Sequence, residues 1–247
     1  VITEPLFYAV AVPAVLMMGM SKSGFGAGFG ALAVPLMSLA IPVPQAAAIM
    51  LPLLAVMDGL GVTALFRDAD RALLKLLLPA GLLGTLLGTA LFSVLSAGTV
   101  AAVVGVLTLL FVAQRLIWPP SPAAVQPPRW LGALLGLASG FTSFVSHAGG
   151  PPIMAYVLPL RLPPLTFSAT MAVFFTAINL SKWIPYAFLG LIDLRNMSTS
   201  LVLLPLAPIG VWTGLKLMRR VSQQLFYRLV TIGMTLTGVV LIWRGLS

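Results

Sequence analysis

Apolar runs of membrane-helix length follow one another through almost the whole chain, and the longest polar stretch is only the segment 119–129. About 20 apolar residues carry an α-helix across the hydrocarbon core of a bilayer. With 60% hydrophobic and 8% charged residues and a mean hydropathy of +1.08, the chain reads as an all-α polytopic membrane protein with no soluble domain. Glu4 stands where a basic flank would mark a signal peptide, so the first segment is expected to stay as a membrane helix.

Two stretches interrupt this pattern. MSKSGFGAGFGALAVPL (20–36) and GFTSFVSHAGGPPIMAYVL (140–158) are glycine-rich, partly polar breaks within apolar segments, and each carries a side chain that can be cationic, Lys22 or His147. Irregular backbone at membrane depth is tolerated only where protein buries it or where it lines a cavity. Both breaks are therefore candidate substrate sites.

Ten membrane elements are expected, at 5–20, 24–41, 44–66, 72–95, 97–118, 130–146, 150–160, 164–190, 198–218 and 224–245. The proline-rich linker WPPSPAAVQPP cannot continue a helix. It divides the chain into a first repeat at 1–118, a linker at 119–129 and a second repeat at 130–247. Leu78-Pro79 with Gly84, Gly88 and Ser96 recurs 126 residues later as Leu204-Pro205 with Gly210, Gly214 and Ser222. A repeat of five elements makes an odd number of passes, so the second copy would be inverted relative to the first, an arrangement common among transporters. The first two elements of each repeat are short. A 16-residue helix covers only about 24 Å of a core roughly 30 Å thick, so hairpins of half-helices are expected at the glycine breaks.

Basic residues agree with that count. Under ten elements one side of the membrane receives Lys22, Arg67, Arg71, Lys75, Arg115, Arg129, Arg161, Lys216, Arg219, Arg220 and Arg228, whereas the other receives Arg195 and Arg244. An eight-pass reading would mix these charges. The positive-inside rule then places both termini outside the cytoplasm of a bacterial-type inner membrane. The same reasoning assigns the net charge of +9 to topology and not to nucleic acid. With no cysteine, one histidine and five carboxylates, the chain offers no thiol chemistry, no metal cluster, no cofactor site and no nucleophile with a positioned base. An enzyme is not expected.

The candidate chemistry is anion binding. Lys22 precedes Gly24, Gly26, Gly28 and Gly30, and glycines let a ligand approach backbone amides at the start of a helix. GFGAGFG also resembles a dinucleotide fingerprint, but neither a strand nor a βαβ unit surrounds it. His147 lies in Ser146-His147-Ala148-Gly149-Gly150-Pro151-Pro152, and imidazole can change charge near neutral pH. Ser21, Ser23, Ser143 and Ser146 are candidate hydroxyl donors, and the amides around Gly28, Gly30, Gly149 and Gly150 candidate backbone donors. Asp58 is the carboxylate in the middle of an apolar helix; Asn179 and Lys182 fall in the corresponding helix of the second half. Ionisable groups inside a membrane are costly, so each needs a partner. Asp58 can pair with Lys22 or Lys182, as a static salt bridge or as a proton-coupling group alongside His147.

On SKSGFGAGFGALAVPL, GFTSFVSHAGGPPIMAYVL, the Asn179/Lys182/Tyr186 helix and the repeated LPxxxxGxxxG, the chain resembles the TauE/SafE family of sulfite and sulfonate exporters, also called the 4-toluene sulfonate uptake permease family. The resemblance spans nearly the whole sequence. It implies a secondary transporter of small sulfur-containing anions such as sulfite, sulfoacetate or other organosulfonates, driven by protons through alternating access. A passive anion channel, or a carrier of a non-sulfur organic anion, is the alternative. The partners expected are a small anion, protons and the lipid bilayer, with homo-oligomerisation left open.

Overall fold

A computed structural model describes residues 1–22, 29–92, 94–117, 126–217 and 223–246, and among these the secondary structure is entirely helical. The helices are α1 (Pro5–Lys22), α2 (Ala33–Met37), α3 (Val43–Leu65), α4 (Arg71–Phe92), α5 (Ala97–Ile117), α6 (Arg129–Ser146), α7 (Gly150–Val157), α8 (Pro164–Ser181), α9 (Trp183–Phe188), α10 (Leu194–Leu203), α11 (Leu206–Leu217) and α12 (Gln223–Leu246). Short 3-10 turns at Phe29–Leu32, Phe66–Asp68 and Leu158–Leu160 fill some of the junctions.

Sequence chemistry sets several of the boundaries. Proline at the start of α3, α7 and α8 sits where its missing N–H costs nothing. Asp70 caps α4 by accepting from the amides of Ala72 and Leu73 at 2.9 Å, and Asp193 caps α10 by accepting from Asn196 at 2.7 Å. Two of the five carboxylates thus serve helix ends. Pro185 can offer no N–H to the carbonyl of Ser181, so the run begun by α8 breaks at Lys182 and resumes as α9.

The expected count of ten membrane elements in two inverted repeats of five is overturned. Among the described residues four helices are long and apolar enough to cross a membrane: Pro5–Lys22, Val43–Thr63, Arg71–Phe92 and Pro164–Phe188. A fifth span is reached if the pair Leu194–Leu203 and Leu206–Gly214, bent by 43°, counts as one. Glycine and proline end the other elements too early. In the expected element 24–41 the described part is one 3-10 turn and the five-residue α2, and the element at 150–160 supplies only the eight-residue α7, about 12 Å long. α5 and α12 contribute the shorter apolar stretches Gly98–Gln114 and Thr231–Leu246.

Glycine governs how the long helices meet. A Cβ on Gly84 would overlap the carbonyl oxygen of Leu137, and one on Gly140 would overlap that of Gly81, so α4 and α6 touch backbone to backbone. With Gly136 facing Ala80 and Gly88 facing Phe144, the two run parallel. Gly19 of α1 meets Gly210 of α11 in the same way, at 2.8 Å from the built Cβ. α5 and α12 are antiparallel, Gly98 facing Gly245 and Gly105 facing Gly238. Small residues let helices approach closely where no hydrophobic effect drives them together. Enclosed by these pairs, α3 packs on α8, with Gly61 facing Ala172 and Asp58 facing Asn179. Outward faces carry exposed Leu83, Leu86, Leu87 and Leu236, as lipid contact requires.

Candidate functional site

The polar groups that the fold buries at the α3–α8 crossing form one connected chain. Lys22, the last residue of α1, donates from Nζ to Oδ1 of Asp58 at 2.5 Å. Asn179 donates from Nδ2 to the other carboxylate oxygen at 2.6 Å, and its Oδ1 accepts from Lys182 Nζ at 2.8 Å. That pair of bonds fixes the orientation of the amide. Lys182 Nζ also lies 2.7 Å from both the backbone oxygen and the hydroxyl oxygen of Ser143 and 2.9 Å from Nδ1 of His147, so its three N–H bonds are shared among four acceptors. His147 Nε2 lies 2.9 Å from the carbonyl oxygen of Ala47 on α3.

The tautomer follows from these partners. A carbonyl can only accept, so Nε2 carries the proton and Nδ1 is the acceptor for the Lys182 ammonium. His147 is thereby neutral in this arrangement, because a second proton on Nδ1 would face an ammonium head on. Its backbone is constrained as well. With φ of 53° and ψ of 22°, His147 takes the left-handed conformation that ends α6, and its amide bonds back to the carbonyl of Ser143 at 2.9 Å. Most residues avoid this region, so a histidine there is held by its side-chain bonds.

With both lysines protonated, the network sets two ammonium groups against one carboxylate, a formal charge of +1. Lys182 is fully buried, Asp58 is 4% exposed, and the Lys22 side chain is 20% exposed. This gradient of exposure runs toward a cavity of about 230 Å³, into which Lys22, Asp58, Ser143, His147 and Asn179 all face. Lys182 stands one layer behind, reaching the cavity through Asn179, Ser143 and His147. The rest of the wall is mainly apolar, with Met18, Met57, Met154, Met171, Phe167 and Phe175. Lys22 Nζ lies 5.0 Å from the centroid of the Phe175 ring, close enough for a cation–π contact.

Other sequence candidates distribute unevenly. Gly30 and Gly150 line the cavity, and a Cβ on Gly30 would come within 2.7 Å of Met18 Sδ. Gly149 lies off the cavity, packed on α6, where its carbonyl accepts from Ser139 Oγ at 2.6 Å. Ser146 faces away, into a second cavity, and turns its hydroxyl to the carbonyl of Thr142. Ser23 and Gly28 lie outside the described residues. Pro151 and Pro152 follow Gly150 directly and have no N–H, so Gly150 offers the one amide in the first three positions of α7.

The sequence candidates include neither Phe175 nor the methionines of the cavity wall. A signal for Phe175 was present. Ala172, Phe175, Asn179 and Lys182 follow helical spacing, which puts them along one stripe of α8 and its extension.

The family model described as "Sulfite exporter TauE/SafE" matches residues 11–241. No curated protein and no solved structure matches the chain. The chain belongs to the TauE/SafE family, whose members are membrane transporters and not enzymes.

Proposed function

We propose that this member of the TauE/SafE family is a secondary transporter that carries small sulfur-containing anions, coupled to protons, across a bacterial-type inner membrane. The observation that carries the reading is the hydrogen-bonded chain Lys22–Asp58–Asn179–Lys182–His147, with two lysines to one carboxylate, opening onto a 230 Å³ cavity. Residues 1–118 supply Lys22 and Asp58, and residues 130–247 supply Ser143, His147, Asn179 and Lys182. A displacement of one part against the other would therefore make and break the site, as alternating access demands.

Coupling follows from competition. Asp58 occupies Lys22 as an incoming oxyanion would, so the carboxylate and the substrate contend for the same ammonium. A proton on Asp58 removes the competitor and turns Lys22 toward the anion; anion and proton then bind together and cross together. His147 serves this scheme as a neutral brace, holding Lys182 against Ser143 and Asn179 while tied to Ala47. Thioether and phenyl walls suit an organosulfonate whose carbon substituent is small enough for the cavity. Both termini are proposed to lie outside the cytoplasm.

The test is transport by purified protein in proteoliposomes, following sulfite, sulfoacetate and acetate, with trapped pyranine reporting protons. Uptake of a sulfur oxyanion with proton movement, lost in Lys22→Ala, is the expected outcome. Acetate moving in preference to the sulfur oxyanions would refute the substrate class, and saturation-free flux indifferent to a pH gradient would refute the carrier in favour of a channel.

A further inference from the structure

A second cavity, of about 390 Å³, lies away from Lys22 and Asp58, bounded by α5, α6, α7 and α12. Phe111, Ala138, Pro152, Ala155 and Met234 are among its walls. The hydroxyls that border it are already used within their own helices: Thr108 donates to Val104, Thr142 to Ala138 and Ser146 to Thr142. A space lined this way gives water few partners and suits hydrocarbon. It also opens sideways, since Leu110 of its wall is 59% exposed on the membrane-facing side of α5. From Leu107 to Gln114 the lining extends along eight residues of α5, about 10 Å of helix.

Two of the bounding helices carry an exposed arginine beside their part of the lining. Arg129 opens α6 six residues before Leu135, and Arg228 precedes Met234 by six residues on α12, so each arginine stands about 9 Å of helix from the lining residue of its own helix. Continuing the antiparallel register of Gly98 with Gly245 and Gly105 with Gly238 brings position 115, also an arginine, opposite position 228. Gln114 beside it belongs to the lining.

We propose that this fissure holds an acyl chain of an anionic phospholipid, whose phosphate is bound by Arg129 and Arg228. Charge and hydrocarbon are then matched along a single axis: an apolar slot at membrane depth, followed at headgroup distance by basic side chains. Zwitterionic lipid would fill the slot equally well but gain less from the arginines. Free phosphate would find the arginines without the slot. Basic clusters beside membrane helices contribute about 1 kcal/mol per arginine toward anionic lipid, about fivefold in affinity for each.

Native mass spectrometry of the detergent-purified full chain, titrated with phosphatidylglycerol or phosphatidylcholine, tests this. Phosphatidylglycerol is expected to be retained preferentially, with its affinity falling about 25-fold in the double variant Arg129→Gln/Arg228→Gln. The slot-filling variant Ala155→Phe is expected to release both lipids. Equal retention of the two lipids by the wild type, or unchanged phosphatidylglycerol affinity in the arginine variant, overturns the proposal. The arginine variant stands alone if Ala155→Phe fails to fold, because its substitutions lie on exposed side chains.

Discussion

Asp58→Asn separates the competing roles of the central carboxylate. In the wild type Lys22 gives its short bond to Asp58 Oδ1, and a bound anion must replace that bond with its own. A hydrogen bond to a charged group nets about 1.5–3 kcal/mol, and the partial exposure of Lys22 argues for the lower part of that range. Removing the carboxylate charge spares the substrate this exchange, so anion affinity in the variant is expected to rise about 10- to 30-fold. The sign of the pH effect follows from linkage. If the anion and the proton on Asp58 favour each other, wild-type affinity rises as pH falls, and the variant, having no carboxylate there, loses that dependence. Isothermal titration of the detergent-purified protein with a sulfonate at two pH values reads both effects, and pyranine-loaded vesicles read the loss of coupled protons. Weaker binding by Asp58→Asn, or a pH dependence identical to wild type, would refute competition and leave Asp58 as a structural counter-ion.

Three further substitutions probe the frame around the site. Lys182→Met is expected to destabilise the protein by about 1–3 kcal/mol, because it leaves the buried acceptors on Asn179, Ser143 and His147 without their shared donor while Asp58 keeps Lys22; thermal unfolding in detergent measures it. Gly84→Ala is expected to cost about 1–3 kcal/mol by forcing α4 away from the Leu137 carbonyl, whereas Gly59→Ala, whose Cβ would meet nothing within 4 Å, is expected to be neutral or up to about 1 kcal/mol stabilising. Equal melting temperatures for the two alanine variants would contradict the close α4–α6 contact.

Side chains that were informative in the sequence were those whose chemistry conflicts with a membrane. Asp58, Lys182 and His147 each stand out because an ionisable group among leucines demands a partner, and the fold answers that demand by joining Asp58 to Lys182 through Asn179 and Lys182 directly to His147. What remained hidden was the pairing itself. Asp58 and Asn179 are 121 residues apart, and neither Lys22 nor Lys182 could be preferred as the partner of Asp58 until α1, α3 and α8 were placed together. Element count failed for a related reason. Hydropathy sums over a window whereas a helix ends at single residues: the sequence marked 24–41 and 150–160 as short elements, half-helices of a hairpin, yet counted them among ten, and the described parts are the five-residue α2 with its 3-10 turn and the apolar stretch Gly150–Leu160. Gly30 and Gly150, at the same two breaks, line the cavity wall together with Lys22 and His147, each of which stands where its own helix ends. On the proposed function, the broken helices and the anion site they border are one structural requirement, seen first as glycine in the sequence and then as space in the fold.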